Sequence, residues 1–121
     1  MSVYDLANRL AKQIKKSDEY KDYLEKREKV LANEKTKEML RDFQQEQMKL
    51  QAKQLSGEDL TEEEQEKLEN LRELVDINND IKKYLQAEYR VNILLNDIQN
   101  IIFGDLELGI DTEGDNKKEE E

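Results

Sequence analysis

A chain of 121 residues has room for one domain with a modest core and not for two ordinary ones. It has no cysteine, which excludes disulfides, thiolate metal sites and cysteine nucleophiles; with no histidine it also lacks the commonest general base and transition-metal ligand. The formal charge of −10 is unevenly placed: residues 105–121 hold eight acids and two lysines, a net −6, leaving −4 for the preceding 104 residues.

Proline is absent and three of the four glycines follow residue 103, so the ordered part is expected to be almost wholly helical. Hydrophobic residues make up 36% against 41% charged, which fits helices wet on one side, or a small core completed by self-association. No uncharged run approaches the ~18 residues that a membrane span needs, and no early apolar segment resembles a signal peptide. The expectation is a soluble, cytoplasmic, all-α protein with no membrane partner: a bundle or hairpin of about five helices with long arms. Residues 1–104 would form a single helical domain and 105–121 a flexible acidic tail.

Val3, Leu6, Ala7, Leu10, Ala11 and Ile14 recur at helical spacing and predict a first helix over 3–15. Ser17, followed by Asp18 and Glu19, reads as an N-cap with acids in the first turn of a second helix. The inward residues of that helix would be Tyr20, Tyr23, Leu24, Val30 and Leu31. Nothing near Lys16 forbids the two helices from running on with only a kink. Asn33 is the cap expected for a third helix over about 34–54, and "LSGEDLT" at 55–61 is the clearest turn. Thr61 with Glu64 forms a capping box that opens a fourth helix, 62 to about 77, burying Leu68, Leu71, Leu74 and Val75. Two asparagines in "INND" at 77–80 break it, and one can cap a last helix over 81–103. There Ile81, Tyr84, Glu88, Val91, Leu95, Ile98 and Ile102 keep three-four spacing, the pattern of a coiled-coil-like seam. Ala87, Leu94 and Ile101 widen it toward a second neighbour.

The third helix is unusual in carrying five glutamines. At 100° per residue, Met39, Leu50, Phe43, Gln54, Gln47, Leu40, Gln51, Gln44, Leu55 and Met48 fill one half in that order. Glu38, Asp42, Glu46, Lys49 and Lys53 fill the other, with Arg41 at the border. Gln47 and Gln54 stand inside the apolar stripe, and Gln44 and Gln51 run beside it. A buried glutamine amide left without a partner costs about 1–3 kcal/mol. The face is therefore either a half-wet flank of a good helix former or a seam where a second copy or another protein supplies the partner. Glu88, inside the apolar seam, is either rim-exposed or paired, with Lys82, Lys83 and Arg90 nearby. The candidate interface is Met39, Leu40, Phe43, Gln44, Gln47, Met48, Leu50, Gln51 and Gln54 on the third helix, with Tyr84, Glu88, Val91, Leu95, Ile98 and Ile102 on the last.

Other chemistry is poorly supplied. With 30 acids in the chain, carboxylate pairs at helical spacing arise by chance, and a di-iron bundle would want Glu-x-x-His pairs. Arg9, Lys12, Lys15 and Lys16 make a basic strip on an acidic protein, better read as a solvated face than as a nucleic-acid contact. No catalytic, cofactor-binding or metal-binding residue is assigned.

The order of signals, "SDEYKDY" at 17–23, "LRDFQQEQMKLQAKQLSG" at 40–57 and "LENLRELVDINNDIKKYLQAEYRVNILLNDIQNII" at 68–102, resembles the YlbF/YmcA family of small bacterial helical proteins, and best its YheA-like subgroup. The resemblance implies an all-α cytoplasmic protein that self-associates and works through partners. YlbF and YmcA act with a third protein in a complex that supports competence, sporulation and biofilm formation. That complex also modulates messenger RNA processing and carries iron–sulfur clusters on cysteine ligands. This sequence has no cysteine, so the cluster does not carry over. The expectation is a non-enzymatic regulator or adaptor, homo-oligomeric as a dimer or higher, that binds another protein and neither a cofactor nor nucleic acid directly. The alternative is a small holdase-like chaperone presenting a Gln/Met-rich face to clients.

Overall fold

The computed structural model describes residues 2–109, and within them the fold is all-α, with no strand. Five helices follow in order: α1 Val3–Lys16, α2 Asp18–Leu31, α3 Glu34–Ser56, α4 Glu62–Asp76 and α5 Asn79–Phe103. Each begins at a side-chain cap. Ser2, Ser17, Asn33, Thr61 and Asn78 each accept a hydrogen bond from the backbone N–H three residues on, satisfying a donor that the helix itself leaves free. The Thr61–Glu64 capping box is present with both bonds at 3.1 Å, and Ser2 with Asp5 makes a second one. Gly57 ends α3 at φ +77°, a left-handed conformation that any other residue would adopt with strain. The N–H of Glu58 then reaches back to the carbonyl of Lys53 at 2.8 Å.

Two antiparallel pairs make up the architecture. The α2–α5 pair is the most extensive: Glu19 lies beside Ile93, Leu94 and Asp97, Asp22 meets Arg90, and Tyr23 meets Tyr84. The α3–α4 pair is a hairpin closed by the 57–61 turn. The core sits where the C-terminal ends of α2 and α4 meet the start of α5 and the first half of α3. It comprises Val30, Leu40, Phe43, Leu68, Val75, Ile81 and Tyr84. Tyr23, Met39, Leu50, Leu60, Leu71 and Leu85 pack against it. Ala87 and Val91 continue the buried stripe of α5.

One open alternative is settled and two expectations need amendment. The first two helices do not run on: Ser17 is extended (ψ 149°), with its Oγ donating to the carbonyl of Ile14 at 2.6 Å and accepting from the N–H of Tyr20 at 3.3 Å. Leu24, Leu31 and Leu74, read as inward, are exposed at 39%, 41% and 42%, because each lies toward the edge of its helix's stripe, where neighbours cover it only in part. Glu46, placed on the charged half of α3, is only 6% exposed, since α4 packs against that flank. Of the acidic segment, residues 110–121 lie outside the described residues; 105–109 follow α5 without regular structure.

Ile81 has no solvent exposure, so Ile81→Ala should lower stability by about 2–5 kcal/mol through lost transfer energy and the cavity left behind. Leu55→Ala, at a side chain 90% exposed, should stay within about 0.5 kcal/mol of the parent. Urea denaturation followed by circular dichroism measures both.

Candidate functional site

Two clusters of polar contacts fix the faces of this fold. On α3 the Glu46 carboxylate accepts from Lys67 of α4 at 3.1 Å and from Lys49 at 3.3 Å through the same oxygen. Both ammonium groups stand mostly in water while they cap a carboxylate that is itself buried. Lys67 first, then Lys49, draws the Glu46 carboxyl below its ordinary range against the opposing effect of burial. One turn from the hairpin tip, Lys53 pairs with Glu64, the same carboxylate that completes the α4 capping box. That bond and the backbone N–H of Thr61 bring Glu64 down to about 2. These pins join α3 to α4 along one flank of α3.

The second cluster joins α2 to α5. Tyr20 and Tyr23 stack at 6.1 Å between centroids, and Tyr23 and Tyr84 meet at 5.6 Å with their hydroxyls 3.4 Å apart. Tyr84 donates to Oε2 of Glu88 at 2.9 Å. Burial above all, then Tyr23 and Glu88, pushes the Tyr84 phenol far above its usual value. Glu88 is thus paired within its own helix, by a tyrosine four residues back. Among the cations proposed for it, Arg90 instead approaches Asp22 at 3.4 Å.

The predicted interface residues divide by what these pairings leave over. Leu40, Phe43, Tyr84 and Val91 are buried within the chain's own core, and Met39 and Leu50 are half-buried against it. Gln44, Glu88 and Ile98 are half-buried. Gln47, Met48, Gln51, Gln54, Leu95 and Ile102 are exposed. Because α4 takes the Glu46–Lys53 flank of α3, the opposite flank of its last three turns is open. Gln47, Met48, Gln51, Gln54 and Leu55 form a continuous outward band there, with no charged residue among them.

Two features escaped the sequence reading. Glu46 looked like a surface acid, and only the arrival of Lys67 from another helix reveals its place. A recess of about 240 Å³ opens between α2, α3 and α5, floored by Val30 and Leu40 and rimmed by Arg27, Lys37 and Arg41. Its cations lie on two helices whose relative rotation no single-helix pattern gives. Among the described residues no group of three or more acidic side chains gathers that could hold a metal ion, and no helix is long and apolar enough to cross a membrane.

The depressed carboxyls carry a pH dependence of definite sign. A carboxyl whose folded value lies below its unfolded one stabilises the fold above the unfolded value and loses that contribution as pH falls through the folded value. For Glu64 the window runs from its ordinary 4.5 down to about 2. Glu64→Gln and Glu46→Gln should each be less stable than the parent at neutral pH and converge on it in acid. Urea midpoints across that window test this; parallel curves would show that neither pin matters.

The chain matches, over residues 3–107, the profile of the family described as "Control of competence regulator ComK, YlbF/YmcA". A UPF0342 protein of Halothermothrix orenii is 56% identical over 110 residues, covering 91% of this chain and 93% of the relative. Another, from Desulfitobacterium hafniense, is 42% identical over 102 residues, covering 84% and 82%. In structure the chain is similar to a "Protein of Unknown Function (DUF964) from Bacillus stearothermophilus", with a TM-score of 0.72 over 84% of this chain and 90% of the other. At 22% identity, that likeness concerns the fold. With five helices in this arrangement and a profile match over almost its whole length, the chain belongs to the YlbF/YmcA family.

Proposed function

We propose that this protein is a non-enzymatic cytoplasmic regulator or adaptor that acts through helix–helix contacts, self-associating and binding another protein. The observation that carries the reading is the uncharged outward band of α3, Gln47, Met48, Gln51, Gln54 and Leu55, on a chain that is 41% charged. Leaving Leu55 90% exposed and Met48 68% exposed is unfavourable unless something covers them at work. Glutamine and methionine suit a contact that must adapt to its partner: the amide both donates and accepts, and the thioether fills irregular gaps. The α3–α4 pins stiffen the helix from behind, so the band is presented without first being ordered. Membership of a family named for control of a competence regulator agrees with a role exerted on another protein.

The test is affinity capture from a native lysate with the parent beside Gln47→Glu/Leu55→Glu. Neither position packs in the core, so circular dichroism should report unchanged helix. We expect a discrete partner held by the parent and reduced about tenfold or more in the variant, as for charge buried without a counter-charge. Equal retention by both proteins would defeat the reading. A miscellany of unfolded clients held through the same band would favour the holdase alternative, for which exposed Met48 and Leu55 are also suited.

A further inference from the structure

The first helix is amphipathic but its apolar face is largely uncovered, with only Leu10 and Ile14 half-buried. Val3, Leu6, Ala7, Leu10 and Ile14 line one side of α1, yet no residue of α1 is buried, and Val3 is 80% exposed. Among the described elements α1 touches α2 alone, around the Ser17 break, and it makes no contact with α5. The far end of α5 is in the matching condition. Its stripe continues as half-buried Ile98 and exposed Ile101 and Ile102 beyond the start of α2, which lies beside Ile93 and Asp97. Ile101 is 79% exposed there. Had the chain continued straight through Ser17, α1 would have covered this stripe; the bonds of Ser17 to Ile14 and Tyr20 turn it away.

We propose that α1 is an exchange arm: the α1 of a second copy of this chain covers the end of α5, and the contact is made twice about a two-fold axis. Three observations select a second copy as the occupant. Each chain offers one uncovered arm and one uncovered seat, so reciprocal pairing closes and leaves neither over. The charges are complementary: α1 carries Arg9, Lys12, Lys15 and Lys16 against Asp5, a net +3, whereas residues 91–109 hold Asp97, Asp105 and Glu107 and no cation, a net −3. The dimensions also fit. A helix of 14 residues is about 21 Å long, and two such helices each laid along a neighbour bury on the order of the 1,600 Å² of a standard interface. The inference takes from the proposed function only that the chain pairs with itself; the α3 band plays no part in it.

The chain contains no cysteine, so single thiols can be placed without background. Leu6→Cys and Ile101→Cys proteins, mixed and oxidised, should give a disulfide-linked dimer containing one chain of each, whereas either alone should give little. Light scattering should find the native chain at twice its single-chain mass. That mass should halve in Leu6→Glu/Leu10→Glu and in Ile101→Glu/Ile102→Glu, with helix content retained, and stay unchanged in Gln47→Glu/Leu55→Glu. A native chain of single mass overturns the proposal, and so does a dimer in which the mixed thiols fail to link. If a charged variant unfolds, the mixed cross-link alone decides. Loss of the captured partner without loss of the dimer would concern the α3 band and leave the arm standing.

Discussion

The fold depends on breaking the helices of both arms of its hairpin at the edge of its own core. Val30 and Ile81 are the largest side chains fully removed from water, and each lies within three residues of a helix break. A helix end beside a core exposes backbone N–H groups where water is scarce, and each must find an acceptor. Asn33 and Asn78 supply one, accepting from Thr36 at 3.1 Å and from Ile81 at 3.0 Å. Both breaks can then be tight, and α2, α3, α4 and α5 converge on one cluster. The rest of the molecule grows outward from it: the α3–α4 hairpin on one side, the α2–α5 pair on the other.

The helix starts were legible because capping is a local rule written in four consecutive residues. Ser17, Asn33, Thr61 and the asparagines before Ile81 all read correctly, and so did the all-α class. What no local rule provides is which flank of a helix a neighbour will take. On α3 the wheel grouped Gln47 with Phe43 and left Glu46 outside, but α4 approaches from the Glu46 side and leaves Gln47 in the open. The same ignorance of neighbours made Leu24, Leu31 and Leu74 look inward. Glu88 illustrates a different gap: its partner, Tyr84, was read as an apolar seam residue, although its hydroxyl sits four residues away on the same face.

For the proposed role in protein contact, the division between covered and uncovered apolar surface matters more than total hydrophobicity. Tyr23, Tyr84 and Glu88 bond to one another within the chain, so the buried half of α5 is scaffold. The last turn of α5, the first turns of α1 and the outer band of α3 are left uncovered. These surfaces differ in character: the first two are aliphatic with opposed net charge, the third is uncharged and amide-rich. A surface of fixed charge suits one constant neighbour, and an adaptable amide-rich one suits a neighbour that must be recognised across small differences in shape.

The pairing of Tyr23 with Tyr84 also bears on the order in which the structure forms. Those two residues are 61 apart in sequence, whereas Lys53 and Glu64, at the hairpin tip, are 11 apart. Loop-closure entropy grows with the logarithm of loop length, so joining α2 to α5 directly from the open chain costs about 1.5 kcal/mol more than closing the hairpin. Once α3 and α4 have zipped together, the intervening chain is shortened and much of that difference disappears. The hairpin closed at Gly57 is therefore the least costly of these long-range contacts to close, and joining the two distant arms costs less once it is in place.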